Sequence, residues 1–268
     1  MMTQGARKEQ IIADLSKNLM EPRITVVGCG GAGNNITNGL YWNNKSINTV
    51  AINTDEAKLE EIEVHTKILI GNDITYGKGT NGSPEVGEYC AQLARETISK
   101  VLEGSDIVFV VAGMGGGTGT GTAPVVANIA QDLDAITFVI AINPFSHEGG
   151  RREIAQEGLT KLKEKISNLI ILENDRLLSL AGDCTLDEGF GIIERSINNL
   201  ISSMSNRIVE VLREQIRLEV SEALMDIEDV VIVKPASITV PEIIRAESME
   251  AELEVPYAHN IASQFLTR

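Results

Sequence analysis

The residues with the clearest chemistry in this sequence form one run, Gly113-Met114-Gly115-Gly116-Gly117-Thr118-Gly119-Thr120-Gly121. Glycine removes the Cβ and permits positive φ, so backbone N–H groups can approach a ligand directly. Thr118 and Thr120 add hydroxyl donors. The run follows the apolar stretch Ile107–Ala112, a buried strand by its pattern, and precedes 122–131, which suits a helix. A glycine turn between a strand and a helix N-terminus collects free amides and the positive end of the helix dipole, which together favour an anion. The chemistry is phosphate binding, by a cradle without a lysine. A Walker loop would end Gly-Lys-Ser/Thr, and this one does not.

A second glycine turn, Gly28-Cys29-Gly30-Gly31-Ala32-Gly33-Asn34-Asn35, follows the strand pattern 24–27. Strand, G-x-G-x-x-G and helix make the dinucleotide-binding fingerprint, and an acidic residue ends the next strand pattern in Val50-Ala51-Ile52-Asn53-Thr54-Asp55. A NAD-binding fold competes up to residue 60. The richer cradle at 113–121, for which a NAD fold has no use, tells against it. The loop 77–83 feeds a helix whose N-cap is Ser83 with Pro84 at N1, and it can close over a terminal phosphate.

These turns need a scaffold, and the apolar pattern supplies one. Further strands are expected at 68–70, 136–142 and 169–172, alternating with helices to about Leu102 and to Lys165. That alternation describes an α/β fold, with a Rossmann-like, mostly parallel sheet flanked by helices and ligands at the carboxyl ends of its strands. Residues 186–224 then read as one long central helix, followed by short β-strand candidates between Pro235, Pro241 and Pro256. An amphipathic leading helix is expected over 6–20. The expected organisation is an N-terminal helical extension (1–21), a nucleotide-binding domain (22–184), the long helix (185–224) and a short C-terminal segment (225–268), too small for a second full domain.

Composition limits the partners. The 268 residues are 43% hydrophobic, enough for a sizeable core, and the formal charge of −15 argues against nucleic acid and anionic membrane surfaces. A phosphorylated ligand must therefore be held by amides, a few local cations and a divalent metal. Cys29, Cys90 and Cys184 are isolated, and His65, His147 and His259 are scattered, so packing or surface roles are expected rather than a zinc site. With no apolar run long enough to span a bilayer and no signal-peptide core, a cytoplasmic location is expected.

The motifs taken together resemble the tubulin/FtsZ family: 113–121 contains its glycine–threonine signature, and the resemblance runs from residue 22 to about 200. It implies a GTPase domain binding GTP or GDP with Mg²⁺, with Gly113, Gly115, Gly116, Gly117, Thr118 and Gly119 in the signature cradle. Gly30, Gly31, Ala32 and Asn35 resemble the first phosphate loop, and Asn53, Thr54 and Asp55 the second. Gly79, Thr80, Asn81 and Gly82 lie in what resembles the γ-phosphate-sensing loop, with Thr80 and Asn81 standing where the family usually has Ala and Gly. Glu148 and Arg152 resemble the ribose and phosphate contacts, Asn174 a guanine contact, and Phe190 the aromatic that stacks on the base. Glu194 stands where the family has Asn or Asp accepting from guanine N1–H and N2–H₂, which a carboxylate can also do.

The sequence departs from the family at the catalytic acid. The family inserts a loop with an N-x-D-x-x-D/E motif into the neighbouring subunit's site, and this chain has no such motif. The segment 224–230, with Asp226, Glu228 and Asp229, resembles it with a gap, but it follows a helix about three turns too long. Two readings follow. One is a cytoskeletal GTPase that self-assembles head to tail, with a membrane adaptor protein as a further partner. The other is a non-polymerising, weakly hydrolysing switch or structural module.

Overall fold

In the computed structural model, residues 22–176 and 186–225 are described. They belong to one compact unit, Met1–Asp226; the other unit, Ile227–Arg268, lies outside them. Outside the described residues, too, fall the leading helix expected over 6–20, the strands expected after residue 229, Cys184, His259, and the acids Asp226, Glu228 and Asp229.

Six strands are present among the described residues: β1 (Ile24–Cys29), β2 (Ile47–Asn53), β3 (Thr66–Leu69), β4 (Ile107–Gly113), β5 (Ile136–Asn143) and β6 (Leu169–Glu173). They form one sheet in the order β3-β2-β1-β4-β5-β6, and every neighbouring pair is parallel. The helices are α1 (Gly30–Asn43), α2 (Glu56–Glu60), α3 (Asn72–Thr75), α4 (Pro84–Leu93), α5 (Arg95–Leu102), α6 (Gly117–Asp132), α7 (Gly150–Lys165) and α8 (Leu186–Met225).

Helices cover both faces, so the central strands are continuous apolar runs. Side chains still alternate along each strand. Val27, Cys29, Val108, Val110, Val139 and Ala141 pack with residues of α4 to α7, including Cys90, Ile98, Val126 and Leu162. Ile24, Val26, Phe109, Val111, Ile140 and Ile142 face α1 and α8, where they meet Ile36, Leu40, Ile193, Ile197 and Ile201. Phe109 and Phe138 stack within this second layer with ring centroids 5.2 Å apart.

The helices differ from the sequence pattern at two places. The stretch expected as one helix to Leu102 breaks at Ala94, whose ψ of 6° leaves the helical region. The break keeps Cys90, Ala91, Ile98 and Leu102 all on the sheet. Helix α6 begins at Gly117, ahead of the expected Thr122, because Gly116 is extended (φ −102°, ψ 165°) and serves as its N-cap. The second half of the glycine run is thus the first turn of a helix, with its amides aimed at the carboxyl edge of the sheet. Ser83 caps α4 as its sequence suggests, its Oγ accepting from Val86 N at 3.3 Å with Pro84 in the first turn.

Helix α8 is 40 residues long. Its contact with the core runs from Ile193 to Val209. Ile197 and Ile201 are fully buried, whereas Val211 and Leu218 are exposed. Ile197→Ala should therefore lower the unfolding free energy by about 2–5 kcal/mol, while Leu218→Ala should change it by less than about 0.5 kcal/mol. Urea denaturation of the two variants checks which part of the helix the sheet depends on.

Candidate functional site

Strand order reverses between β1 and β4, which are neighbours although β2 and β3 lie between them in sequence. The helices that follow β1 and β4 leave from this point, and such a switch point opens a crevice at the carboxyl edge of a parallel sheet. A cleft of about 340 Å³ lies there. Its lining includes Gly30, Gly31 and Ala32 after β1, Asp55 after β2, Lys78 to Gly82 from the next loop, Gly113 and Gly116 to Gly119 after β4, and Arg151.

The two glycine turns are in backbone contact. A Cβ on Gly30, which has φ +70°, would stand 2.8 Å from Gly119 N; one on Gly119 would stand 2.5 Å from Gly113 O. Helix α4 closes on α6 in the same way: a Cβ on Gly87 would meet Gly117 O at 2.5 Å, and one on Gly117 would meet Thr80 Oγ1 and Ser83 O. Other glycines of the cleft are free of such contacts. Gly31 and Gly82 have nothing within 4 Å of an added Cβ, and Gly116 meets only Arg151 Nη2 at 3.6 Å. One set of glycines therefore lets the turns interlock, and another leaves the amides open to a ligand.

Behind the cleft, polar side chains hold the turns. Asn34 is buried on α1. In the amide orientation that satisfies its surroundings, its Nδ2 donates to Gly28 O (2.9 Å) and Gly30 O (3.1 Å), and its Oδ1 accepts from Asn53 Nδ2 (2.9 Å). Asn53 Oδ1 in turn accepts from Thr54 N at 2.9 Å and Asp55 N at 3.3 Å. The hydroxyls of Thr54 and Thr118 lie 2.7 Å apart, tying the turn after β2 to the first turn of α6. Gly115 N donates to Thr120 Oγ1 at 2.9 Å, which closes the signature run on itself.

The residues expected at the site thus divide into groups. Gly30, Gly31, Ala32, Asp55, Gly79, Thr80, Asn81, Gly82, Gly113, Gly116, Gly117, Thr118 and Gly119 line one cleft. Asn53 and Thr54 are buried beneath it and support its backbone. Asn35 is exposed on α1, and its neighbour Asn34 takes the inward position. Gly115 is held against Arg151, whose Nε donates to Gly115 O at 3.3 Å. Glu148 accepts from Phe145 N at 2.8 Å and pairs with Arg151. Arg152 is exposed, and Arg151 is the arginine that borders the cleft. Asn174 follows β6 and has a buried Oδ1 with no partner. Phe190 falls in the first turns of α8, and its side chain lies outside the described residues.

Glu194 lies on α8 against α1: an added Cβ on Gly39 would stand 2.2 Å from Glu194 Oε1 and 2.5 Å from Asn198 Nδ2. Asn198 Oδ1 is buried without a partner. Partial burial raises the Glu194 pKa, against a smaller lowering by Arg195.

The sequence pattern did not single out Asn34, Lys78 or Arg151. Helical spacing carried a signal for Asn34, which shares the inward face of α1 with Gly33, Thr37 and Leu40. Lys78 lies within the loop 77–83 expected to close over a terminal phosphate, but the pattern did not mark its side chain. Cys29 and Cys90 are buried free thiols, and burial pushes both pKa values up, so they are poor nucleophiles. His65 Nδ1 accepts from Thr49 N at 3.1 Å, a structural contact. Among the described residues no group of three His, Cys, Asp or Glu could hold a metal, and no helix is long and apolar enough to cross a membrane.

Residues 23–182 match the family model described as Tubulin/FtsZ family, GTPase domain. The chain belongs to the tubulin/FtsZ family. It is 44% identical over 191 residues to cell division protein FtsZ 2 of Halobacterium salinarum, covering 71% of this chain and 49% of that protein. It is 36% identical over 216 residues to cell division protein FtsZ of Neisseria gonorrhoeae, covering 80% of this chain and 55% of that one. The chain spans about half the length of these curated relatives. Among solved structures, an empty FtsZ dimer from M. jannaschii matches with a TM-score of 0.69 and 36% identity, over 76% of this chain and 59% of that one. A GTPγS-bound protofilament of CetZ2 from Haloferax volcanii matches with a TM-score of 0.61 and 28% identity, over 72% and 59%. The tubulin/FtsZ fold is therefore present here as a parallel six-stranded sheet with a long helix after β6.

The raised pKa of Glu194 has a measurable consequence. The folded state binds this proton more tightly than the unfolded chain, so stability falls as pH rises from the ordinary value of 4.5 through the raised one. In the nucleotide-free protein, Glu194→Gln should be the more stable form at pH 7. Its advantage should disappear below about pH 4, which thermal unfolding across that range checks.

Proposed function

We propose that this chain binds a guanine nucleotide in the cleft and hydrolyses GTP to GDP and phosphate when copies stack head to tail. The observation that carries the reading is the interlocking of two glycine turns at the sheet's switch point, with the N-terminus of α6 aimed into the space between them. Backbone amides from both turns face the phosphates, and the dipole of α6 adds a favourable field. Thr118 is the hydroxyl in that first turn, held by Thr54. Asp55 is the carboxylate on the cleft lining. Mg²⁺ would be held there mainly by the nucleotide's own phosphates and water, because this ion uses few protein carboxylates; its part is to neutralise charge on the transferred phosphate.

For the base, Asn174 and Glu194 are the candidates. Asn174 offers an unpartnered buried Oδ1. A Glu194 carboxylate accepts two hydrogen bonds from guanine N1–H and N2–H₂, a pattern that the adenine edge lacks. Phe190 would stack on the ring, while Glu148 and Arg152 would contact ribose and phosphate. The expected division into a nucleotide domain (22–184), long helix and short C-terminal segment belongs to this same reading. Stacking repeats a heterologous contact that does not close, which yields filaments. The CetZ2 protofilament, described with GTPγS bound, is an assembly of that kind in a relative. Asp226, Glu228 or Asp229 would supply the acid to the neighbour's cleft.

A second reading, a nucleotide-bound module with little hydrolysis, is favoured by one observation: the sequence has no N-x-D-x-x-D/E motif. Phosphate release measured with GTP and Mg²⁺ over a range of protein concentrations separates the two. Release per subunit that climbs with concentration supports hydrolysis in trans; a flat trace near zero supports the module. Replacing Asp226, Glu228 and Asp229 together by Asn, Gln and Asn should depress release with GTP affinity unchanged. Gly116→Val should abolish GTP binding while keeping stability within about 1 kcal/mol, because the space beside Gly116 is open cleft rather than packed backbone. Retained affinity in calorimetric titration would move the ligand elsewhere.

A further inference from the structure

The cradle itself has no lysine, yet the fold brings one to it. Lys78 lines the cleft with Asp55 and Arg151 as its charged residues. The backbone around Lys78 is pinned on both sides. Lys78 N donates to Thr75 O at 3.0 Å, Gly79 N donates to Thr54 O at 3.1 Å, and Glu56 N donates to Gly77 O at 3.0 Å. A bridge joins Asp55 and Lys78 in antiparallel pairing. The other end of the loop is sealed where Thr80 Oγ1 fills the space beside Gly117. Lys78 therefore stands on a fixed base with an exposed side chain.

The two cations of the cleft are not equivalent. Arg151 is committed to Glu148 and to Gly115 O. Lys78 has no ion pair among the described residues, in a chain of net charge −15. An ammonium on a flexible stem is a mobile point charge, suited to a phosphate whose position changes between ligands.

Strand order gives the direction. The base candidate Asn174 follows β6, while Lys78 lies in the loop that pairs with the turn after β2, four strand spacings away in the sheet. That distance is about 19 Å, on the order of an extended nucleoside triphosphate. A nucleotide with its base at the β6 side and its first phosphates between β1 and β4 has its last phosphate beside Lys78.

Resting on the guanine-nucleotide reading above, we propose that Lys78 contacts the terminal phosphate and sets the preference of this cleft for a nucleoside triphosphate over a diphosphate. The test is calorimetric titration of the full chain with GTPγS and with GDP, in Mg²⁺, for the wild type, Lys78→Met and Lys78→Arg. Lys78→Met should weaken GTPγS binding at least about tenfold, the loss expected for a charged hydrogen bond, with GDP affinity held within about twofold. Lys78→Arg should keep most of the preference. The GTPγS effect should also shrink at high salt, because the contact is exposed. Equal losses for both nucleotides, or none for either, would overturn the proposal while leaving the nucleotide reading in place. A wild type that binds neither nucleotide would overturn both.

Discussion

The structure depends on one contact: backbone against backbone, where the turn after β1 meets the turn after β4. Gly30 faces Gly119 N so closely that no side chain fits between them. Parallel pairing of β1 with β4 in register, Ile24 opposite Ile107 and Cys29 opposite Ala112, delivers the two turns to the same height above the sheet. The strands are held by apolar burial on both faces, and their shared end is where that burial stops. Amides that would otherwise need partners inside the protein are free there because a strand has ended and a helix has just begun.

A cleft built from main chain needs a rigid support, since glycine loses more conformational entropy on ordering than any other residue. The support is a buried polar layer. Asn34 and Asn53 bind each other and the carbonyls of the first turn, while Thr54 and Thr118 clasp the turn after β2 to α6. Each of these groups has its partner, which is the condition under which buried polar atoms stabilise rather than weaken a core. Other buried polar atoms among the described residues lack a partner, Thr122 Oγ1 and Asn143 Oδ1 among them. Asn174 Oδ1 and Asn198 Oδ1 are buried and unpartnered, and Glu194 is held in a setting that disfavours its charge.

In a strongly acidic chain, this cleft is lined by glycine amides with two cations, Lys78 and Arg151, and one carboxylate, Asp55. The helix dipole of α6 works with these cations rather than in place of them. Distances between side chains and the amides then matter more than total charge, because interactions inside a crevice are screened less than those on the open surface.

Much of this was legible in the sequence. Alternation of apolar runs with helical periodicity indicated a parallel α/β sheet, and the two glycine turns marked the sheet edge at which the cleft lies, because both signals are local. Residues 186–224 read as one helix for the same reason, and α8 has those bounds to within a residue. What the sequence could not determine was which face or loop carries each polar residue. Arg151 rather than Arg152 borders the cleft, and Asn53 and Thr54 lie beneath the surface instead of on it. The bridge between Asp55 and Lys78 folds the loop that carries Lys78 back onto the turn after β2. Local pattern determines elements; the approach of one backbone to another is decided by tertiary packing, where a shift of one residue moves a side chain from the cleft lining to the scaffold or to solvent.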